Sequence, residues 1–325
     1  MKKILYGTMY SFKEIKNLKI FYSFLMFALI LISGSYFVSQ TSFISQGRIM
    51  VDFSIFAISI FNIFIGIFIG ASVVYDDIEK KSVFLTITRP IKRTEYLAGR
   101  FLGLAAAIIF STIIMMLIFY FVLLIMHKFI VPAGYFAGNV KAKAGIVSHI
   151  KNKRVKSAPA EKNSGKNITG KLSIVKPAAK PFTFYSLPQP LIIQALFIII
   201  ESIFISAAAL LFSLITSKAL ASIFAILVFF IGSVSSRMND LVKPVKKIIN
   251  GKVVIMHQAN HALMSIVHFI YTVLPNFSIF NISSEAAYKV NVSAGIIFYR
   301  IVYGICYTAL LFIISSLIFA RKDIS

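Results

Sequence analysis

Long apolar runs separated by short polar or charged breaks dominate the chain. Ile20–Val38, Phe53–Val74, Phe101–Met126, Leu191–Thr216 and Gly295–Ala320 each come close to or exceed the roughly 20 residues a helix needs to cross a hydrocarbon core. A sixth run, Ala219–Val234, follows the fourth after only Ser217-Lys218. The pattern predicts an all-α integral membrane protein with six transmembrane helices. Ahead of the first run, Ile4, Leu5, Phe12, Ile15 and Leu18 are set against Lys13, Lys16 and Lys19, which suits a helix lying in the membrane interface. Between the second and third runs lies the charged connection 75–100. It has acids first (Asp76, Asp77, Glu79), then an apolar patch (Val83, Phe84, Leu85, Ile87), then Arg89-Pro90. Proline disfavours helix at the residue before it and suits the first turn of a new one, so two short helices meeting at Arg89 are expected.

Two stretches break the spanning pattern and divide the chain into residues 1–126, an insertion 127–189, and 190–325. The insertion is rich in Lys, Ala, Ser, Gly and Pro, carries a single acid, Glu161, and reads as mostly disordered, because it cannot bury enough apolar surface to offset the entropy of ordering. Within it, 165–171 matches the first seven positions of a phosphate-binding loop, but Leu172 stands where a magnesium-holding Ser or Thr is required, and the motif is rejected. Asn167-Ile-Thr169 is a glycosylation sequon of the kind that arises by chance. The second stretch, 235–294, is basic at Arg237, Lys243, Lys246, Lys247 and Lys252. It then carries a helix-like apolar run, Val253–Val273, ended by Pro275 and expected to lie on or partly in the membrane.

Composition agrees with the pattern. Over 325 residues the chain is 58% hydrophobic with a mean hydropathy of +0.85, against about 45–50% apolar for soluble domains. The net charge of +23 then points to anionic lipid headgroups and to orientation of the spans rather than to nucleic acid. Cys306 is the only cysteine, so no internal disulfide forms. The run from Ile20 to Val38 exceeds the roughly 7–15 residues of a cleavable signal core, and is read as a retained anchor.

Few residues offer chemistry. Glu201 is the one acid well inside a span, with Gln194 seven positions earlier on the same helical face. An ionisable residue at such a site marks a polar pathway, unless it lies close enough to the interface to be tolerated. His257, His261, Met264 and His268 recur at helical spacing with ligands that copper favours, yet a stripe along one helix cannot wrap a single ion, so no metal site is assigned. Gly66 and Gly70 match the spacing that lets helices approach closely. No nucleophile–base or carboxylate pair is placed for catalysis, so the chain is not expected to be an enzyme or to carry a cofactor.

The connection reads Asp77, Glu79, Leu85, Thr88-Arg89-Pro90-Ile91, Arg93, Glu95, Tyr96, Gly99 and Arg100. Ser11-Phe-Lys-Glu14 precedes the first span, 274–281 precedes the last, and Phe319-Ala-Arg-Lys-Asp323 ends it. In this order the motifs resemble those of permease subunits of type-2 ABC exporters, and most closely the branch associated with multi-copper enzyme maturation. The resemblance implies a separate ATPase subunit that binds ATP, and a second permease copy or paralogue. It also implies a cytoplasmic coupling connection that docks on the ATPase through Asp77, Glu79, Phe84, Leu85, Arg89, Pro90, Arg93, Glu95 and Tyr96. Six spans place both termini on that same side of the plasma membrane. Twelve basic residues in 127–189 oppose this orientation, but the orientation rule is counted over short loops near span ends. Two other readings are a secondary transporter or channel using Glu201, and a membrane scaffold anchored by the basic insertion. A Walker-type ATPase in a neighbouring reading frame would favour the permease.

Overall fold

A computed structural model of the chain describes residues 2–39, 46–79, 92–129, 189–242, 246–249, 252–255, 265, 275–282 and 292–321. The main helices are α1 (Lys2–Lys16), α2 (Lys19–Ser39), α3 (Gln46–Glu79), α4 (Arg93–Phe129), α5 (Gln189–Ile215), α6 (Lys218–Val242) and α7 (Ala294–Arg321). Five of them, α2, α3, α4, α5 and α7, are long and apolar enough to cross a membrane; in α6 the apolar part is the shorter Lys218–Val234. Contacts divide the chain into two units, residues 1–119 with 187–325, and residues 120–186. Of the second unit only the last turns of α4 fall within the described residues.

Three boundaries depart from expectation. Helix α3 starts at Gln46 rather than Phe53, taking in half of the polar linker; Met50 and Val51 are fully buried, so packing carries the helix beyond the apolar run. Helix α4 starts at Arg93, so Arg93–Arg100 is the first two turns of the third span rather than a separate short helix, while Tyr75–Glu79 continues the second. The expected meeting point at Arg89 lies outside the described residues. The third departure is a β-hairpin in place of the start of the helix-like run: Lys246–Ile249 pairs antiparallel with Lys252–Ile255, in the register Ile249↔Lys252. Those residues are largely β-branched, and the sequence between them is Asn250-Gly251, a strong two-residue hairpin signal that the apolar periodicity concealed.

Small residues set the helix packing. A Cβ added at Gly66 would lie 2.8 Å from the Ser202 carbonyl oxygen, and one at Gly70 would lie 3.0 Å from that of Ser206. The Gly66/Gly70 pair is therefore an interface with α5, and α3 and α5 run in the same direction. Helix α7 also runs with α5: the Arg300 guanidinium lies over the Phe197 ring at 5.6 Å, and Phe204 meets Tyr307 at 5.6 Å. Helix α6 returns antiparallel to α5, with Phe212 against Phe224 at 5.7 Å. Helix α4 runs against both α3 and α7. Ser111 donates to Asn62 on α3, and Phe101 meets Phe312 on α7 at 5.2 Å. Asn62, the one amide in the second apolar run, also donates to the Ile58 carbonyl at 3.0 Å, so its burial leaves the amide satisfied.

A short 3-10 turn, Phe277–Phe280, sits in the core of this unit. Phe277 packs on Phe204 at 4.9 Å and on Phe229 at 6.0 Å, and Phe280 on Phe197 at 6.3 Å. Gly232 admits it, since a Cβ there would lie 2.6 Å from the Pro275 carbonyl oxygen. Two polar contacts fix the segment: Ile282 N–H donates to Gln194 Oε1 at 2.8 Å, and Asn276 N–H donates to the Tyr303 hydroxyl at 2.9 Å.

Candidate functional site

The stems of the charged connection meet in a buried polar cluster. Arg100, two turns into α4, has a side chain only 8% exposed, and so requires its charge to be matched. Its guanidinium pairs with Asp77, near the end of α3, and with Glu14 of α1. Nε also donates to the Tyr96 hydroxyl at 3.2 Å, and that hydroxyl donates to Asp77. Arg100 Cζ also lies over the rings of Tyr10 and Tyr96, 5.9 and 5.8 Å from their centroids. Tyr96 in turn stacks on Phe319 of α7 at 6.2 Å. One cation thereby ties three helices directly, and a fourth through the tyrosine ring.

Local sequence explains the convergence. Tyr96 and Arg100 are four apart and share a face of α4. Gly99 and Gly103 lie along the same helix and let α1 approach: the Gly7 Cα lies 3.3 Å from where a Gly99 Cβ would be, and the Thr8 carbonyl oxygen 3.0 Å from one at Gly103. That approach brings Glu14 within reach. Two weaker ties flank the cluster. Arg93 donates to the Ala320 carbonyl at 3.4 Å, and Lys218 pairs with Asp76 at 3.2 Å, joining the start of α6 to the end of α3.

The residues expected from the sequence divide three ways. Asp77 and Tyr96 lie inside the cluster. Glu79 is exposed at the last turn of α3, while Arg93 and Glu95 are half-buried at the start of α4, where Glu95 accepts from Lys92 N–H at 3.3 Å. Phe84, Leu85, Arg89 and Pro90 lie outside the described residues, as do His257, His261, Met264 and His268. Among the described residues no group of three or more potential metal ligands occurs. Gln194 and Glu201 do share the inner face of α5, but they are used differently. Gln194 holds the Pro275–Ile282 segment, whereas Glu201, only 8% exposed, makes no hydrogen bond or ion pair among the described residues.

Reasoning from residue types alone missed Glu14, Tyr10, Arg100 and Phe319 as members of a site. The signal was nevertheless present: three of the four lie in the motifs before the first span, at the end of the connection and after the last span, which fold onto one point. The arrangement contains no nucleophile and no open carboxylate pair. What it provides is a rigid joint, in which charge pairing and aromatic stacking hold the roots of several helices together.

No curated protein matches the chain. A family model described as ABC-2 family transporter protein matches residues 5–324, nearly the whole chain and all of the helices just described. The chain therefore belongs to the ABC-2 transporter family, as a multi-pass membrane permease subunit.

Proposed function

We propose that the chain is one permease of an ATP-driven exporter: a separate ATPase subunit binds ATP and docks on residues 79–95, and a second permease completes the transporter. The observation that carries this reading is the Arg100 joint. It lies at the root of the connection and ties α1, α3 and α4, with α7 stacked on Tyr96, so a push on 80–91 would move these helices as a body. Glu79, Arg93 and Glu95 would orient the ATPase, Phe84, Leu85 and Pro90 with Arg89 would form the contact, and Asp77 and Tyr96 would anchor the contact surface to the spans.

Helix directions support six spans. Since α5 and α7 run the same way, the chain between them must cross an odd number of times, and α6, which returns antiparallel to α5 and carries the apolar stretch Lys218–Val234, is the helix placed to make that crossing. With six spans both termini share the side of the connection. The family and the lysines flanking the first span support the cytoplasm for that side, and the plasma membrane as location. The motif likeness supports the branch associated with multi-copper enzyme maturation. Glu201 is the residue that would line the pathway, because Gln194 is already engaged; a secondary transporter or channel would use the same carboxylate, without an ATPase.

Co-purification of the tagged permease with a candidate ATPase subunit tests the proposal. Phe84→Ala with Leu85→Ala should lower recovery, since truncating a buried anchor costs about 2 kcal/mol, roughly thirtyfold in affinity. Equal recovery with a folded variant would reduce residues 80–91 to a loop.

A further inference from the structure

Helix α1 has one face in use and one face open. Its inner side meets α4 where Gly7 approaches Gly99 and Ser11 approaches Gly103. Its outer side carries Leu5, Tyr6, Met9 and Tyr10, all between 67% and 73% exposed. At about 100° per residue, Leu5, Lys16, Met9, Lys13, Tyr6 and Tyr10 follow one another around an arc of roughly 140°, and both lysines are exposed. Four large apolar side chains left this open, on a helix that is not itself a candidate span, mark a contact surface.

Position and charge define what meets it. Only Asn17 and Leu18 separate α1 from α2, whose apolar run begins at Ile20, so the open face lies at the border of the membrane. Tyrosine rings with wet hydroxyls and lysines with apolar stems suit that border. Lys16 shows the second feature: Nζ lies 5.8 Å from the Phe110 ring centroid, and the residue remains exposed. The one acid of α1, Glu14, is bound to Arg100, and neither lysine has an ion pair among the described residues, so the open face is net positive. An apolar helix face with basic residues on it is the pattern that binds an anionic membrane surface. We propose that the outer face of α1 seats on anionic phospholipids, with Leu5, Met9 and the two tyrosine rings at the acyl boundary and Lys13 and Lys16 at the phosphates. Tyr10 also lies over Arg100, so the lipid surface would hold α1 against α4 at the joint. The inference goes beyond the docking proposal and does not depend on it.

The chain contains no tryptophan, so Met9→Trp supplies a single indole on this face, and Ile30→Trp, at a residue 57% exposed on α2, a control deeper in the first span. The full-length protein is reconstituted in phosphatidylcholine vesicles containing a minor share of phosphatidylglycerol or phosphatidylcholine brominated near the headgroup end of its chains. Quenching of Met9→Trp should favour phosphatidylglycerol. Each of Lys13→Gln and Lys16→Gln should lower that preference in association constant about fivefold, the effect of one basic residue at an anionic surface, and Ile30→Trp should show no preference. Equal quenching of Met9→Trp by the two lipids would overturn the proposal, as would a preference that survives loss of both lysines. So would quenching by neither lipid together with shielding from aqueous iodide when a candidate ATPase is added, which would make this face a contact with that subunit.

Discussion

Tyr96, in the first turn of α4, donates its phenolic hydrogen to the Asp77 carboxylate near the end of α3, and Arg100 binds the same carboxylate one turn further on. The two helices that enter and leave residues 80–91 are thus bonded to each other at the root. Neither stem can shift without the other, which is the mechanical property a coupling element requires.

The first prediction ranks the members of this joint. Arg100→Ala leaves Asp77 and Glu14 without their shared cation and should cost about 3–5 kcal/mol, the usual loss when one partner of a buried pair is removed. Glu14 is 43% exposed, and Glu14→Gln should cost less than about 1 kcal/mol. Asp77→Asn, which keeps an acceptor for Tyr96, should fall between them. Thermal unfolding of the purified permease in detergent gives the order. Equal losses for Glu14→Gln and Arg100→Ala would contradict a joint centred on Arg100.

Gly66→Ala should destabilise the protein, because its Cβ would come 2.8 Å from the Ser202 carbonyl oxygen, an atom of backbone that cannot swing aside. Gly34→Ala meets nothing within 4 Å, and should be neutral or mildly stabilising, since alanine is the better helix former by about 1 kcal/mol. Opposite signs of the shift in melting temperature are expected. The same sign in both would mean that α3 and α5 are not in backbone contact.

Gln194 holds the Pro275–Ile282 segment through one buried acceptor. Gln194→Leu strands the Ile282 N–H, at a cost of about 1–3 kcal/mol, and should loosen the segment while the spans remain packed. In a Cys306→Ser background, Ile279→Cys should then react faster with a membrane-permeant thiol reagent. An unchanged rate would assign the anchoring to the aromatic contacts of Phe277 and Phe280 and to the Asn276–Tyr303 hydrogen bond.

Glu201 is buried and makes no hydrogen bond or ion pair among the described residues, so none of those contacts depends on its carboxyl group. Glu201→Gln keeps shape and hydrogen-bonding capacity while removing the ability to carry charge. Expression and melting temperature should be unchanged or improved, and ATPase stimulation linked to transport should change. Unchanged stimulation would make Glu201 a tolerated polar residue of the core.

Much of the architecture was legible from residue order alone. Burying a helical backbone in hydrocarbon demands about 20 apolar residues, so the spans and the turn at Ser217-Lys218 stand out in any hydropathy reading, and the motif order pointed to the family. What the linear pattern could not decide lies where residues distant along the chain meet. Asp77 and Tyr96 stand out in the sequence as docking residues and Arg100 only as a motif position; packing of α1 against Gly99 and Gly103 brings Glu14 beside them and assembles a buried joint at the root of the connection. Gln194 and Glu201 were indistinguishable by spacing, and the Pro275–Ile282 segment separates them by engaging one and not the other. The hairpin at 246–255 was missed because apolar periodicity over four residues does not distinguish a strand from a helix. Hydropathy is a property of each residue and survives in the sequence, whereas pairing depends on which helices lie side by side, and that is set by the close approach of small residues in three dimensions.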